Sequence, residues 1–478
     1  MPYHRRYEMQ NEKNEIRQQI HDTLLSMKQA NENARTSLGD RVFLTDYAYL
    51  TKNTEIGTVW TAALQTALNE HTAVIIPASD EVYYIDDTVI VPPHRTFSAY
   101  DATIRLTPDC DVLMLRNKNA VDRTHSPVDR SHPDENISVC GGRWEESRTT
   151  RLGYSRTGRF THRIPDADDR ARPFYGVSTL FYFGNVRGLS LIDLTFAHTA
   201  GFSVQTGALE NGVFEHIRFE SCYADGLHLN GDSENLWIYD IAGEVGDDLV
   251  ALNMYDWQNS SVNFGPTRCV WCEGLDLASS SPYKALRIEP GVYYFDDGSS
   301  VDCGLFDAVI RNVQGIATFK MYYQTPRYKL FEEQPERGAV GSADNLFFEN
   351  IKIDLDRPID AFREYLGGDP IRGAFGAFEL GSNIGYVSFS DIDITMYSER
   401  FPLSYLVTVG PKSILVDRYE IFDPYLSSHI GVLHLANIRV NGKPADNAEQ
   451  LVRCVSFDDI NEDGHSTGAG TVGEMIFQ

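Results

Sequence analysis

The runs FYFGNVRGLSLIDLTF (181–196), FSVQTGALENGVFEHIRF (202–219), LHLNGDSENLWIYDI (227–241) and LVALN (249–253) decide how this chain folds. Each is rich in Val, Ile, Leu or Phe, the breaks carry Asn, Gly, Asp or Ser, and the runs return about every 20–25 residues. Later runs continue the pattern: LRIEPG from Leu286, GLFDAVIRNV from Gly304, ATFKMYY from Ala317, NLFFENIKIDL from Asn345 and YVSFSDIDITMY from Tyr386. A period of this size signals stacked units, none of which can bury its apolar face alone. With strands and no helices between them, the economical solution is an all-β solenoid, the right-handed parallel β-helix. A β-propeller needs blades of about 40–50 residues, longer than this spacing. In a β-helix each coil lies about 4.8 Å above the last, so residues one period apart become neighbours.

Working outward, two helices precede the ladder. Ile16, Ile20, Leu24 and Met27 recur at helical spacing between Asn11 and Ala30, which predicts an amphipathic helix docked on the body, with an oligomer contact as the sharper reading. A second helix is expected over Thr58–His71, ahead of Ala73-Val-Ile-Ile-Pro77. The expected organisation is a helical extension over 1–57, a β-helix over 58–463 whose blunt ends the helices cap, and a glycine-rich mobile tail over 464–478. One segment breaks the rhythm: eight arginines fall between Arg143 and Arg172, with Tyr154, Phe160 and His162 among them. It reads as a long loop, either solvated and paired with the acidic body or a lip for an acidic ligand.

The 478 residues carry 68 Asp and Glu against 42 Lys and Arg, a formal charge of −26. That balance argues against nucleic acid or an anionic membrane as the main partner, since both recruit clustered cations. No stretch approaches the ~18 apolar residues of a membrane span, and the charged opening, MPYHRRYEMQNEKNEIRQQ, lacks the apolar run of a signal peptide. Seven cysteines at irregular spacing suit a reducing compartment, so a cytoplasmic protein is expected. Cys269-Val-Trp-Cys272 has no second cysteine pair and reads as packing, not as a metal or redox site.

The chemistry concentrates in two motifs. Asp225 lies in Tyr223-Ala-Asp-Gly-Leu-His-Leu-Asn230, and Asp247 and Asp248 lie in Val245-Gly-Asp-Asp-Leu-Val-Ala-Leu-Asn253, 22 and 23 residues further on. That is one coil, so all three acids are expected on one face of neighbouring rungs. Both motifs run into the same Leu-x-x-Leu-Asn or Leu-x-Leu-Asn strand text, which fixes the phase independently. Three carboxyls held together repel, and at least one should keep its proton beside ionised partners. Such a set can cleave a glycosidic bond: one acid protonates the leaving oxygen while carboxylates orient water, and a gap of about 6.5–9.5 Å gives inversion. A Ca²⁺ site is the other use of clustered oxygens.

The motifs resemble those of glycoside hydrolase family 28, the polygalacturonases, within the pectate-lyase-like β-helix superfamily. Ala224-Asp225-Gly226 is similar to that family's Asn-Thr-Asp-Gly motif and Gly246-Asp247-Asp248 to its Asp-Asp motif. Gly141-Gly142-Arg143-Trp144 and the general layout from about Thr58 onward belong to the same resemblance. It implies a cofactor-free and metal-free inverting hydrolase of an α-linked oligosaccharide, with Asp248 as general acid and Asp225 and Asp247 holding water. The later motifs depart from the family. The Gly-His-Gly position falls in Pro282-Tyr-Lys-Ala-Leu-Arg-Ile-Glu-Pro-Gly291, which has no histidine, and Lys320 in Gly315-Ile-Ala-Thr-Phe-Lys-Met-Tyr-Tyr323 matches the lysine of Arg-x-Lys.

Lys284, Arg287 and Lys320 are therefore the expected cations for a uronate carboxylate, with His198 and Tyr322 as further substrate contacts. His228, three residues after Asp225 along a strand, is expected to face away from the acids. Two alternatives stay open: a uronate lyase or epimerase using Lys284, Arg287 or Lys320 as base, and a non-catalytic carbohydrate-binding β-helix.

Overall fold

A computed structural model describes residues 3–37, 39–108, 110, 112–120, 130–146, 179–256, 261–295, 297–316, 319–321, 340–355, 375–396, 403–411, 427–459 and 468–478. The chain is a right-handed parallel β-helix with an N-terminal helix, and its strands form one large, mainly parallel sheet system. It divides into two compact units, one of Ser26–Ala251 with Gln258–Phe264, the other of Met1–Leu25, Leu252–Trp257 and Gly265–Gln478.

The first unit shows the periodicity directly. Leu115, Phe181, Val204 and Leu227 are consecutive register partners, and the last three are each 23 residues apart. Side chains that point inward on successive coils therefore stack into continuous columns. Trp144, Phe196 and Phe219 form one such column, against which Phe97 and Phe181 pack edge-on, with ring centroids 5.0–5.9 Å apart along the chain of contacts. All five are at most 2% exposed, and each such side chain contributes roughly 1.5–3 kcal/mol by leaving water. Corners between strands need left-handed backbone, which Asn adopts more readily than most residues. Asn136, Asn211 and Asn235 occupy one corner with φ of 53°, 61° and 59°, and Asn235 Nδ2 donates to Asn211 Oδ1 at 2.9 Å.

The second unit has longer coils. Val270, Ala308, Leu346, Val387 and Leu433 are consecutive partners separated by 38, 38, 41 and 46 residues. The expected period of about 20–25 residues therefore holds for the first unit's coils from Phe181 to Leu227, whereas the second unit, like the first unit's step from Leu115 to Phe181, inserts chain between strands while keeping their register. Two adjoining aromatic columns fill the interior, Phe319 with Phe378 and Phe348 with Phe389, the four rings lying 4.6–5.6 Å apart.

The helices divide two tasks. The short helix Thr61–Glu70 buries Ala63, Leu64, Ala67 and Leu68 over the first rungs, and Gln65 exchanges hydrogen bonds with both backbone groups of Ile90. It is an end cap. The long helix Tyr3–Ser37 lies against the sides of coils instead. In the first unit Lys28 pairs with Glu215, while buried Asn31 donates to the Asn211 carbonyl at 2.9 Å. In the second, Arg17 grips Glu349 and His21 packs edge-on against Trp271 at 4.8 Å.

Both ends differ from expectation. Arg41–Phe43 already pairs in parallel with Ala73–Ile75, so the first rung begins inside the expected helical extension. Ala469–Phe477, expected as a mobile tail, is a strand in register with Ser427–Leu435. Its small residues fit close stacking: a Cβ on Gly470 would meet the Val409 carbonyl oxygen at 2.0 Å. Of the arginine-rich segment only Arg143 is described. It pairs with Glu145 and Glu220, and the other seven arginines lie outside the described residues. No disulfide joins any of the seven cysteines. Among the described residues no helix is long and apolar enough to cross a membrane.

Candidate active site

The site is one turn repeated on successive coils of the first unit. Val204 N–H donates to the Gly226 carbonyl at 3.0 Å, Gly226 N–H to Asp248 at 3.0 Å and Leu227 N–H to Leu249 at 3.0 Å. Since Val204 and Leu227 are register partners, Phe202, Asp225 and Asp248 share a phase, with Asp247 one residue earlier. The motif glycines make this stacking feasible. A Cβ on Gly226 would come within 2.6 Å of the Leu249 carbonyl oxygen, and one on Gly246 within 2.4 Å of that of Tyr223.

One carboxylate oxygen from each of Asp225, Asp247 and Asp248 lies within 4.8 Å of the other two. The residues are 2%, 7% and 0% exposed, respectively. This is tighter than the gap of about 6.5–9.5 Å attached above to inversion. The reason is geometric: two consecutive acids on one turn sit a single strand spacing from the third. Oxygens this close are also the set a hard divalent cation would take.

Asp225 is fully engaged. His228 Nδ1 lies 2.6 Å from its Oδ2, and Asp248 N–H donates to its Oδ1 at 3.1 Å. The expectation that His228 faces away from the acids is therefore wrong. Inward positions of the strand Leu227–Asn230 are Leu227 and Leu229, which pair with Val204 and Thr206; His228 and Asn230 point to the other face. Asp225 belongs to the preceding turn, so strand alternation does not relate it to His228.

The imidazole is itself clamped. It stacks on Phe202 at 3.9 Å and 10°, and its Nε2 lies 3.3 Å from Asn230 Nδ2. Asn230 Oδ1 accepts from Gln205 Nε2 and from the Val262 backbone N–H, both at 3.1 Å. Segment 261–264 thus covers the outward face of these strands, where Asn263 Nδ2 also reaches the Gly231 carbonyl at 3.2 Å and Val262 packs with Leu113, Ala120 and Tyr182. Gln205, Asn230 and Phe202 were missed in the sequence, and His228 was misread. For Gln205 and His228 the signal was the register Tyr182, Gln205, His228, a polar and aromatic column at one outward phase.

The other expected contacts are placed as follows. His198 occupies a left-handed corner, φ 54°, half-buried, with its backbone N–H on the Glu220 carbonyl; no hydrogen bond joins its ring to the three acids. Lys284, Arg287 and Lys320 belong to the second unit. Lys284 is 8% exposed. Arg287, expected to hold a substrate carboxylate, holds Glu289 two positions along the same strand face. Burial raises Glu289 well above the usual carboxylate range; Arg287 opposes the rise and Asp256 adds to it. Met321 pairs with Ile288, which puts Lys320 at the register position of Arg287 one coil on. Tyr322 lies outside the described residues.

Neither a protein-family model nor a curated protein sequence matches the chain. Among solved structures it is similar to a hyperthermoactive exopolygalacturonase from Thermotoga maritima, at TM-score 0.50 and 12% identity over 87% of this chain and 97% of that one. A family 28 exopolygalacturonase from Yersinia enterocolitica gives 0.48 and 11% over 92% and 78%. The tailspike of Escherichia coli bacteriophage HK620 gives 0.47 and 11% over 85% and 64%. The first of these likenesses establishes the parallel β-helix fold.

Proposed function

We propose that the protein is a glycoside hydrolase that cleaves an α-linked oligosaccharide at Asp225, Asp247 and Asp248. The observation that carries this reading is the convergence of the three acids within 4.8 Å on stacked turns. Three carboxyls at this distance cannot all ionise without strong repulsion, so the cluster retains a proton to donate. Asp248 gives that proton to the glycosidic oxygen as the bond from the anomeric carbon breaks. Water adds to that carbon, and Asp225 and Asp247 orient it and accept its proton. The resemblance to polygalacturonase motifs and the shared fold support the same reading. Arg287 is committed to Glu289, which counts against it as the base of a lyase or epimerase and as the grip on a uronate.

The test is product formation from a panel of α-linked neutral and uronic oligosaccharides, with and without EDTA, for the wild type and Asp248→Asn. The expected result is EDTA-insensitive turnover that falls at least about a hundredfold in the variant, since general acid catalysis contributes roughly 10²–10⁴. The anomer formed first, followed by NMR, reports the stereochemistry: inversion means direct attack by water, retention a covalent intermediate. No turnover on any sugar, or equal turnover in both proteins, removes the hydrolase reading.

A further inference from the structure

The hydrogen bonds around His228 favour one tautomer of its ring. The Val262 backbone N–H can only donate, and it lies 3.1 Å from one terminal atom of the Asn230 amide. That atom must be the carbonyl oxygen, which also accepts from Gln205. The amide nitrogen is thereby turned to His228 Nε2 at 3.3 Å. An amide NH₂ can only donate, so Nε2 must accept and carries no hydrogen. The proton of a neutral ring then sits on Nδ1, pointing at Asp225 Oδ2 at 2.6 Å. Phe202, stacked at 3.9 Å, fixes the ring plane.

We propose, building on the hydrolase reading, that His228 is a positioning residue: a neutral imidazole, oriented by Asn230, that aims the Asp225 carboxylate into the acid cluster. Among the described residues, the ring meets Asp225 on the adjoining turn, Phe202 on the preceding coil and Asn230 on its own strand, and Gln205 and Val262 hold Asn230. Asp225 is the one ionisable group in this set, with Asp247 and Asp248 beyond it. A neutral donor holds Asp225 in place and leaves its negative charge uncancelled. An imidazolium would hold it as well but would offset that charge and weaken the repulsion that keeps a proton on the neighbouring acid. The Asn230 amide thus serves the acid at one remove, as outer partners do for ligating or catalytic groups.

The test compares His228→Asn with His228→Leu. Asn places an amide N–H where Nδ1–H stood but cannot titrate, while Leu removes the donor. The expected result is that His228→Asn keeps kcat within about threefold and leaves the pH profile in place. His228→Leu should lose kcat by about 10- to 100-fold, with KM little changed and folding confirmed by thermal melting. In parallel, ¹⁵N-histidine NMR of the wild type, assigned through loss of the signal in His228→Asn, should show a hydrogen on Nδ1 and a bare Nε2 between about pH 5 and pH 8.

An imidazolium signal in that range overturns the proposal. So does a pH profile that loses a limb in His228→Asn, which would make the ring itself the acid or base, and so does undiminished kcat in His228→Leu. If Asp248→Asn is as active as the wild type while the NMR signature stands, the hydrolase reading fails and the orientation of the ring survives.

Discussion

Two buried acids, Asp225 in the first unit and Glu289 in the second, are held in opposite ways. Asp225 is gripped by a neutral ring nitrogen and a backbone N–H, and two further carboxyls lie within 4.8 Å. Glu289 is gripped by the Arg287 guanidinium, with Asp256 beside it. A guanidinium cancels charge and builds a stable network; a neutral donor orients a carboxylate without cancelling it. On the proposed reading, the character of the donors, and not burial or spacing alone, separates a working acid cluster from a structural one.

Four substitutions press on this difference. Asp247→Asn should lower kcat at least about a hundredfold with unfolding temperature nearly unchanged, because it removes a reacting carboxylate and no compensating cation; steady-state rates and thermal melts measure both. Arg287→Met should do the reverse, leaving Glu289 buried beside Asp256 without its guanidinium and costing about 2–3 kcal/mol in chemical denaturation. If it abolished turnover at unchanged stability, the division of roles would be inverted.

Glu289 also sets a pH dependence. Its folded proton affinity is raised, so its contribution to stability is complete below the ordinary carboxylate range and is lost as pH rises from there through the folded value. Glu289→Gln should flatten that decline in denaturation curves taken from about pH 4 to pH 8. Phe202→Leu should have the smallest effect, about 1 kcal/mol of stability from the lost ring stack and a few-fold fall in kcat. A kcat loss as large as that of Asp247→Asn would show that the ring stack does more than fix the imidazole plane.

The sequence disclosed the three aspartates because the coils that carry them keep a constant length of about 23 residues: acids 22 and 23 residues apart had to stack. It also disclosed the columns, since Phe181, Val204 and Leu227 recur at 23-residue intervals. His228 was misread because alternation was counted from Asp225 through a turn, where the two-residue period does not apply. The role of Arg287 was readable and overlooked: Arg287-Ile-Glu289 places opposite charges on one strand face. The longer coils of the second unit were not readable, because inserted chain changes the spacing between runs without changing their register. The closure of Val262 over Asn230 was hidden for a related reason, since a side-chain amide and a backbone N–H 32 residues away leave no periodic mark.

The most direct measurement sets Asp248→Asn beside Glu289→Gln on the same panel of α-linked oligosaccharides. Both changes replace a buried acid by its amide, so they differ in which network they disturb. Turnover is expected to fall at least about a hundredfold in Asp248→Asn and to stay within about threefold of wild type in Glu289→Gln. Equal losses in the two variants, or a loss confined to Glu289→Gln, would contradict that division of roles.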